Sequence, residues 1–340
     1  MSSTPRNMAD ATSAFIVHDE RFRKLIDNPT LEVLVENETY PFAHEAGVFI
    51  ESTNELFVTS ARIKDPGSQG QRVQISKVIL GDATTSAKQE EIDSSRVTMG
   101  NGGVNYGDDG ILFCAQGSLD VPSGLYEMKV RPPYNVHAVV TSFYGRQFNS
   151  VNDVVIHSDG SIWFTDPAYG FEQGFRPRPQ LPSQVYRYDP VSSGIRAMSD
   201  GFGHPNGICF SPDEKTLYVT DTDRIHGAGV FDDAKASTIY AFDLNTRHGE
   251  PCLENRRLFA MADSGIPDGI KCDLYGNVYS GCGDGLNVWS PGGTLIGRIL
   301  VPEGVANFCF GRLGEIFILN ENKIWRARLA SHVKGALLRI

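Results

Sequence analysis

The sequence predicts an all-β protein, a six-bladed β-propeller with four-stranded blades around a central channel. Three observations point there: a strand motif recurring six times, an oxygen-bearing side chain in phase with it, and the absence of long amphipathic helices. The motif is a polar or glycine turn followed by an apolar, aromatic-rich strand. Its copies are Glu55-Leu-Phe-Val58, Gly110-Ile-Leu-Phe113, Ser161-Ile-Trp-Phe164, Thr216-Leu-Tyr-Val219, Asn277-Val-Tyr-Ser280 and Glu315-Ile-Phe-Ile318. Their third residues, Phe57, Leu112, Trp163, Tyr218, Tyr279 and Phe317, lie 55, 51, 55, 61 and 38 residues apart. A four-stranded blade with its loops needs roughly 40–60 residues, so each copy marks one blade.

Further strands fill the intervals. Val185-Tyr-Arg-Tyr188, Thr238-Ile-Tyr-Ala-Phe242 and Asn287-Val-Trp289 are bounded by Gly, Pro, Asp or Asn. Leu31-Glu-Val-Leu-Val35 precedes the first marker and Lys323-Ile-Trp-Arg-Ala327 follows the last, so strands from the two ends are expected to close the ring in one blade. Only residues 19–25 and 83–92 suit a short helix. No Ser-, Gly- or Pro-rich linker divides the 340 residues. One domain over 1–340 is expected, with 1–30 an N-terminal extension that takes part in closure.

Composition excludes several classes. With 41% hydrophobic and 21% charged residues, the chain can bury a core and is not disordered. Thirty-five glycines suit many tight turns. A net charge of −10 without a Lys/Arg cluster excludes a nucleic-acid surface. No apolar run reaches the roughly 18 residues of a membrane helix, and residues 1–14 lack the apolar centre of a leader. The six cysteines show no zinc-type spacing; four of them lie in apolar, strand-like surroundings that suit buried positions, and a reducing setting is expected. A cytoplasmic location is expected, with the mature part of a secreted protein as the alternative.

The chemistry lies ten to twelve residues before each marker. There stand Glu45, Asn101, Asn152, Asn206, Asp268 and Asn307, at offsets of 12, 11, 11, 12, 11 and 10. Each precedes a strand and should sit at its mouth, so radial repetition should gather all six at one end of the channel. Asn-Gly and Asp-Gly form turns on their own account, but turns do not require an oxygen at one phase in six copies. Converging carboxylate and amide oxygens suit a hard divalent cation, and the lack of His and Cys disfavours zinc or copper. Glu45 and Asp268 supply two negative charges, enough for one Ca²⁺; other divalent cations fit the same donors.

The remaining polar residues carry weaker expectations. His44 is a candidate proton shuttle, although strand alternation would turn it away from Glu45. Asp153 would support the metal shell or bond backbone. Asp166 and Asp221 would serve blade loops, as would His204 and His226. Arg176 and Arg178, between prolines, suit an exposed loop over the mouth. A nucleophile elbow and a phosphate loop are both missing, which excludes serine-hydrolase and nucleotide chemistry of those kinds.

At these residues the chain resembles the gluconolactonase/regucalcin (senescence marker protein) family, and is especially similar to fungal lactonohydrolases. The resemblance runs from about residue 42 to 319. It is carried by His44-Glu-Ala, Asn101-Gly-Gly, Phe143-Tyr-Gly-Arg-Gln-Phe-Asn-Ser-Val-Asn-Asp153, Pro205-Asn-Gly207, Tyr218-Val-Thr-Asp-Thr222, Pro267-Asp-Gly269 and Gly281-Cys-Gly-Asp-Gly285. It implies a metal shell of Glu45, Asn206 and Asp268, with Asn152 reaching metal or substrate, and Asp268 as general base. Regucalcin-type members have an Arg where this chain has Ser150, so Arg146 is the candidate stand-in for substrate binding beside Asn101, Asn152 and Asn307.

The implied activity is metal-dependent hydrolysis of a sugar-type or pantoyl-type lactone, a small-molecule substrate, to its hydroxy acid. Two rivals have the same fold. One is a non-enzymatic propeller with a structural axial ion and a partner-binding rim; the other is an enzyme of the strictosidine-synthase-like kind.

Overall fold

The computed structural model describes residues 11–64, 70–81, 86–93 and 95–336, and it is a six-bladed β-propeller. Each blade is an antiparallel sheet. The innermost strands are Glu45–Ile50, Gly100–Tyr106, Val154–Ile156, Pro205–Phe210, Ile270–Cys272 and Asn307–Phe310. The six markers lie one strand further out, in Glu55–Thr59, Gly110–Ala115, Ile162–Asp166, Thr216–Asp221, Val278–Cys282 and Glu315–Asn320. The further strands expected near 185, 238 and 287 are the third strands of their blades, Gln184–Asp189, Thr238–Arg247 and Gly285–Trp289.

The marker strands are continuous apolar runs because both of their faces are buried. Tyr218 packs towards the fifth blade with Ile270 and Val278, while Leu217 and Val219 pack towards the third with Trp163 and Val185. Phe57 likewise faces Ile111 and Phe113, whereas Leu56 and Val58 face Phe317 and Leu319. Such packing recurs around the ring, with cores between blades two and three and between five and six. Burying each large marker side chain contributes roughly 1.5–3 kcal/mol. Cohesion thus runs between blades, and the axis is left free for polar groups.

Ring closure follows the expected strands. Thr30–Glu36 pairs antiparallel with Lys323–Arg328, Val33 opposite Trp325, and completes the sixth blade. Phe15–Val17 adds a fifth strand to the fifth blade against Leu295–Leu300. The short helix Glu20–Arg23 forms where expected, its first turn capped by Asp19, which accepts from the Arg21 N–H. Residues 83–92 correct the sequence reading: Lys88–Ile92 is the outer strand of the first blade, and residues 83–85 lie outside the described ones. Lateral pairing with Ile75–Ile79 overrides the helix propensity of its Lys, Gln and Glu residues. All six cysteines are free, five of them buried.

Candidate active site

The oxygen-bearing residues stand at the leading ends of the innermost strands. Asn101 and Asn206 are second in theirs, Glu45 and Asn307 are first, and Asn152 and Asp268 lie two residues before. The glycine after Asn101, Asn206 and Asp268 is not a turn residue. A Cβ at Gly207 would lie 2.4 Å from the Asp268 carbonyl, and one at Gly269 would lie 2.3 Å from Asn307 Oδ1. Glycine here allows neighbouring blades to approach at the axis.

A second repeat locks these ends together. Two residues after the marker, Thr59, Thr165 and Thr220 are fully buried, and their hydroxyls donate to the carbonyls of Asn101, Asn206 and Asp268 in the next blade. Thr165 Oγ1 also accepts from the Asp153 N–H, and Thr220 Oγ1 from the Gly207 N–H. The Thr165 hydroxyl thus links the Asn152-Asp153 end to Asn206, and the Thr220 hydroxyl links the Asn206-Gly207 end to Asp268. The threonines are in phase with the repeat and were open to detection in the sequence.

Glu45, Asn101, Asn152, Asn206 and Asp268 line one axial cavity of about 390 Å³. Asn307 is buried but stands behind it. Its Nδ2 donates to Glu45 Oε2 at 2.6 Å, and its Oδ1 accepts from the Phe308 N–H, so it positions Glu45. Arg146 is exposed, in a two-stranded hairpin outside the blades, and is not part of the cavity wall. Arg62, overlooked in the sequence, is in that wall, as are Gln116, Tyr169 and His226.

His44 shares the cavity with Glu45 because it precedes the strand, where alternation does not apply. Its Nδ1 meets Glu321 Oε1 at 2.6 Å. Glu321 comes from the turn after Glu315–Asn320, and ring closure brings the two together. Burial opposes the charge on His44, yet Glu321, then Glu45 and Asp268, push its pKa up to about 10.

Asp166 and Asp221 serve loops: the first accepts from Asn149 and Ser150 N–H groups, the second from Gly203 and His204. Asp153 accepts from the Ile208 N–H. His204 is buried between Glu172 and Asp223. Arg176 corrects the expectation of an exposed loop. It is 3% exposed, and its guanidinium donates to carbonyls of Ser118, Val121, Phe148 and Asn149. Arg178 is exposed.

Three buried side-chain oxygens in this cavity, the Oδ1 atoms of Asn101, Asn152 and Asp268, have no hydrogen-bond partner. Leaving one such acceptor unpaired costs about 1–3 kcal/mol, so three in one cavity form a place for a cation or for donors of a ligand. Burial, and the proximity of Asp268, push Glu45 up to about 8. Burial also pushes Asp268 up to about 7, against the pull of His44 and an Asn206 hydrogen bond. A cation would relieve both. Among the described residues no three His, Cys, Asp or Glu side chains converge, as a zinc centre would require. Two carboxylates with amide oxygens fit a hard cation.

Comparison with known proteins agrees with this architecture. A lactonohydrolase of Aspergillus oryzae is 28% identical over 342 residues, covering 92% of this chain and 74% of the relative. A gluconolactonase of Zymomonas mobilis is 30% identical over 241 residues, covering 67% and 63%. The structure of a gluconolactonase from Xanthomonas campestris matches with a TM-score of 0.71 at 28% identity, over 93% of this chain and 94% of that one. That of the calcium-binding protein regucalcin from Agrobacterium tumefaciens shares the fold, with a TM-score of 0.62 at 17% identity over 91% and 97%. Residues 77–320 match the family described as SMP-30/Gluconolactonase/LRE-like region, from within the first blade to the marker strand of the sixth. The chain therefore belongs to the SMP-30/gluconolactonase/LRE-like family.

Proposed function

We propose that the protein is a lactone hydrolase that opens a sugar-type or pantoyl-type lactone to its hydroxy acid at the axial cavity, with a calcium ion on the cavity floor. The observation that carries this reading is the set of three unpartnered oxygens, on Asn101, Asn152 and Asp268, facing one cavity beside Glu45. Membership in a family that includes lactonohydrolases and gluconolactonases supports the reaction class. Glu45, Asn206 and Asp268 would hold the cation with help from Asn152, and Asn101 would face the substrate. Calcium is chosen on the chemistry of these oxygens; regucalcin, which shares the fold, is a calcium-binding protein. When bound, the cation would polarise the lactone carbonyl and stabilise the negative charge developing on its oxygen.

The chain's own groups handle the protons. Asp268, whose Oδ1 has no hydrogen-bond partner in the cavity, takes a proton from the attacking water. Water adds to the carbonyl carbon, the ring C–O bond breaks, and the departing ring oxygen is protonated. His44, held by Glu321, is placed to give that proton. The hydroxyls of a polyol lactone meet Asn101, Gln116 and Tyr169 on the wall.

A pH-stat assay on a panel of sugar and pantoyl lactones, with and without chelator, tests the reading. One divalent ion per chain, loss of turnover on chelation and recovery with calcium are expected. Asp268→Asn should bind calcium but turn over about 10²–10⁴-fold more slowly, beyond rescue by added ion. Full activity after exhaustive chelation overturns the proposal.

A further inference from the structure

Arg62 is the only arginine or lysine among the described residues of the cavity wall. It leaves the end of Glu55–Thr59 and is half-buried. Nη1 donates to Gln71 Oε1 at 2.8 Å, and the Gln71 amide is fixed in turn by donating to the Gln173 carbonyl. Gln71 is neutral. No ion pair of Arg62 occurs among the described residues, although most other buried or half-buried cations in the protein have a carboxylate. Lys77 meets Glu55, Arg298 meets Asp263 and Asp284, and His44 meets Glu321. Burial lowers the Arg62 pKa.

Among the described residues, this partly desolvated guanidinium on the cavity wall has one neutral partner and is short of an anion. The other charged groups on the wall do not supply one. Glu45 and Asp268 stand in the axial ring that faces the cation site, and His44 and His226 are not acids. Arg62 lies three residues beyond Thr59, the partner of Glu45 in the strand pairing, in the connection that leads away to Gln71–Arg72. An elongated substrate can therefore put its lactone carbonyl against the axial oxygens and a charged end against Arg62. A cavity of about 390 Å³ lies within the roughly 300–1,000 Å³ of small-molecule sites.

We propose that Arg62 is a specificity residue that pairs with an anionic group, a carboxylate or a phosphate, carried by the lactone away from its reacting carbonyl. The substrate class is then an acidic lactone rather than a neutral one. This rests on the lactonase reading above. Guanidinium forms charge-assisted, often bidentate bonds to either anion, so the residue alone does not separate the two.

The test compares lactones that differ in the distal charge: D-glucono-1,4-lactone with D-glucaro-1,4-lactone, and D-glucono-1,5-lactone with its 6-phosphate. The wild-type protein should favour an acidic member by kcat/KM, and the preferred pair identifies carboxylate or phosphate. Arg62→Gln should lower kcat/KM for that acidic lactone about 10- to 100-fold and change its neutral counterpart less than threefold. Arg62→Lys should recover part of the loss. Calorimetric titration with D-gluconate and D-glucarate, or with 6-phospho-D-gluconate, gives a second readout without turnover: the extra anion should tighten binding in wild type and not in Arg62→Gln. If neutral lactones turn over but acidic ones are not favoured, or the variant affects both members equally, the proposal is overturned while the lactonase reading stands. If no lactone is opened by protein loaded with calcium, the lactonase reading itself fails.

Discussion

Thr220→Val tests whether the threonine ties hold the axial site together. Valine has the shape of threonine without its hydroxyl, so packing at this fully buried position is retained. Two bonds are removed: the one accepted from the Gly207 N–H at 2.7 Å and the one donated to the Asp268 carbonyl at 3.0 Å. A buried backbone group left unpaired costs about 1–3 kcal/mol, and Asp268 is only half-buried, so about 2–4 kcal/mol of stability should be lost. Urea denaturation with an unchanged m-value reads this directly. Release of the Asp268 backbone should also weaken calcium about 10-fold in competition with a chromophoric chelator, the low end for loss of a group supporting a ligand. Thr220→Ser keeps the hydroxyl and loses one methyl, so it should cost only about 0.5–1.5 kcal/mol and leave calcium affinity unchanged. A valine variant as stable as the serine variant, with wild-type calcium affinity, would refute the reasoning.

Asn307→Ala should weaken calcium about 10- to 100-fold by freeing Glu45 Oε2 from its amide partner, yet leave KM for the lactone unchanged at saturating calcium. A rise in KM under those conditions would return Asn307 to the substrate-binding set. The chelated protein should lose stability as pH rises. Burial raises Glu45 to about 8 and Asp268 to about 7, so their contribution is complete below the ordinary carboxylate range and is lost as pH climbs through 7 to 8. The Tm without metal should fall between pH 6 and pH 8.5, and calcium should reverse the fall while releasing protons on binding; a Tm that rises over that interval contradicts the assigned shifts.

Much of this architecture was legible because a propeller repeats its blades in phase. The markers Phe57 to Phe317 all lie on second strands, and the residues ten to twelve positions earlier all stand within two residues of the start of the innermost ones. Threonine holds a phase two residues beyond the marker in the first, third and fourth blades, at Thr59, Thr165 and Thr220, while Cys114, Gly281 and Leu319 take that position in the others. What lay beyond reach comes from outside the repeat. Glu321 meets His44 across 277 residues because the ring closes there, and no local pattern reports that. Arg62 and Tyr169 stand in connections between strands, where the repeat does not extend. Arg176 and Arg146 differ from expectation in opposite ways: prolines beside Arg176 suggest an exposed loop, yet it caps buried carbonyls, whereas Arg146, the stand-in suggested by Ser150, lies exposed in a hairpin outside the cavity.

Asn307 shows where repetition stops being a guide to role. It has the phase and the residue type of Asn101, Asn152 and Asn206, yet its amide is spent on Glu45 and its own strand. Position 319, where a threonine would stand by the phase of the first, third and fourth blades, is Leu319, which packs in the core between the sixth and first blades. The sixth blade therefore contributes support in place of a free oxygen. Six converging donors would enclose a cation and leave a substrate carbonyl no side of approach. Withdrawing one, and using it to fix the carboxylate of Glu45, keeps the floor anionic and the cavity open. A repeat fold thus gains an active site by breaking its own symmetry at one blade, and the Asn307 variant tests that inference more directly than loss of any free oxygen would.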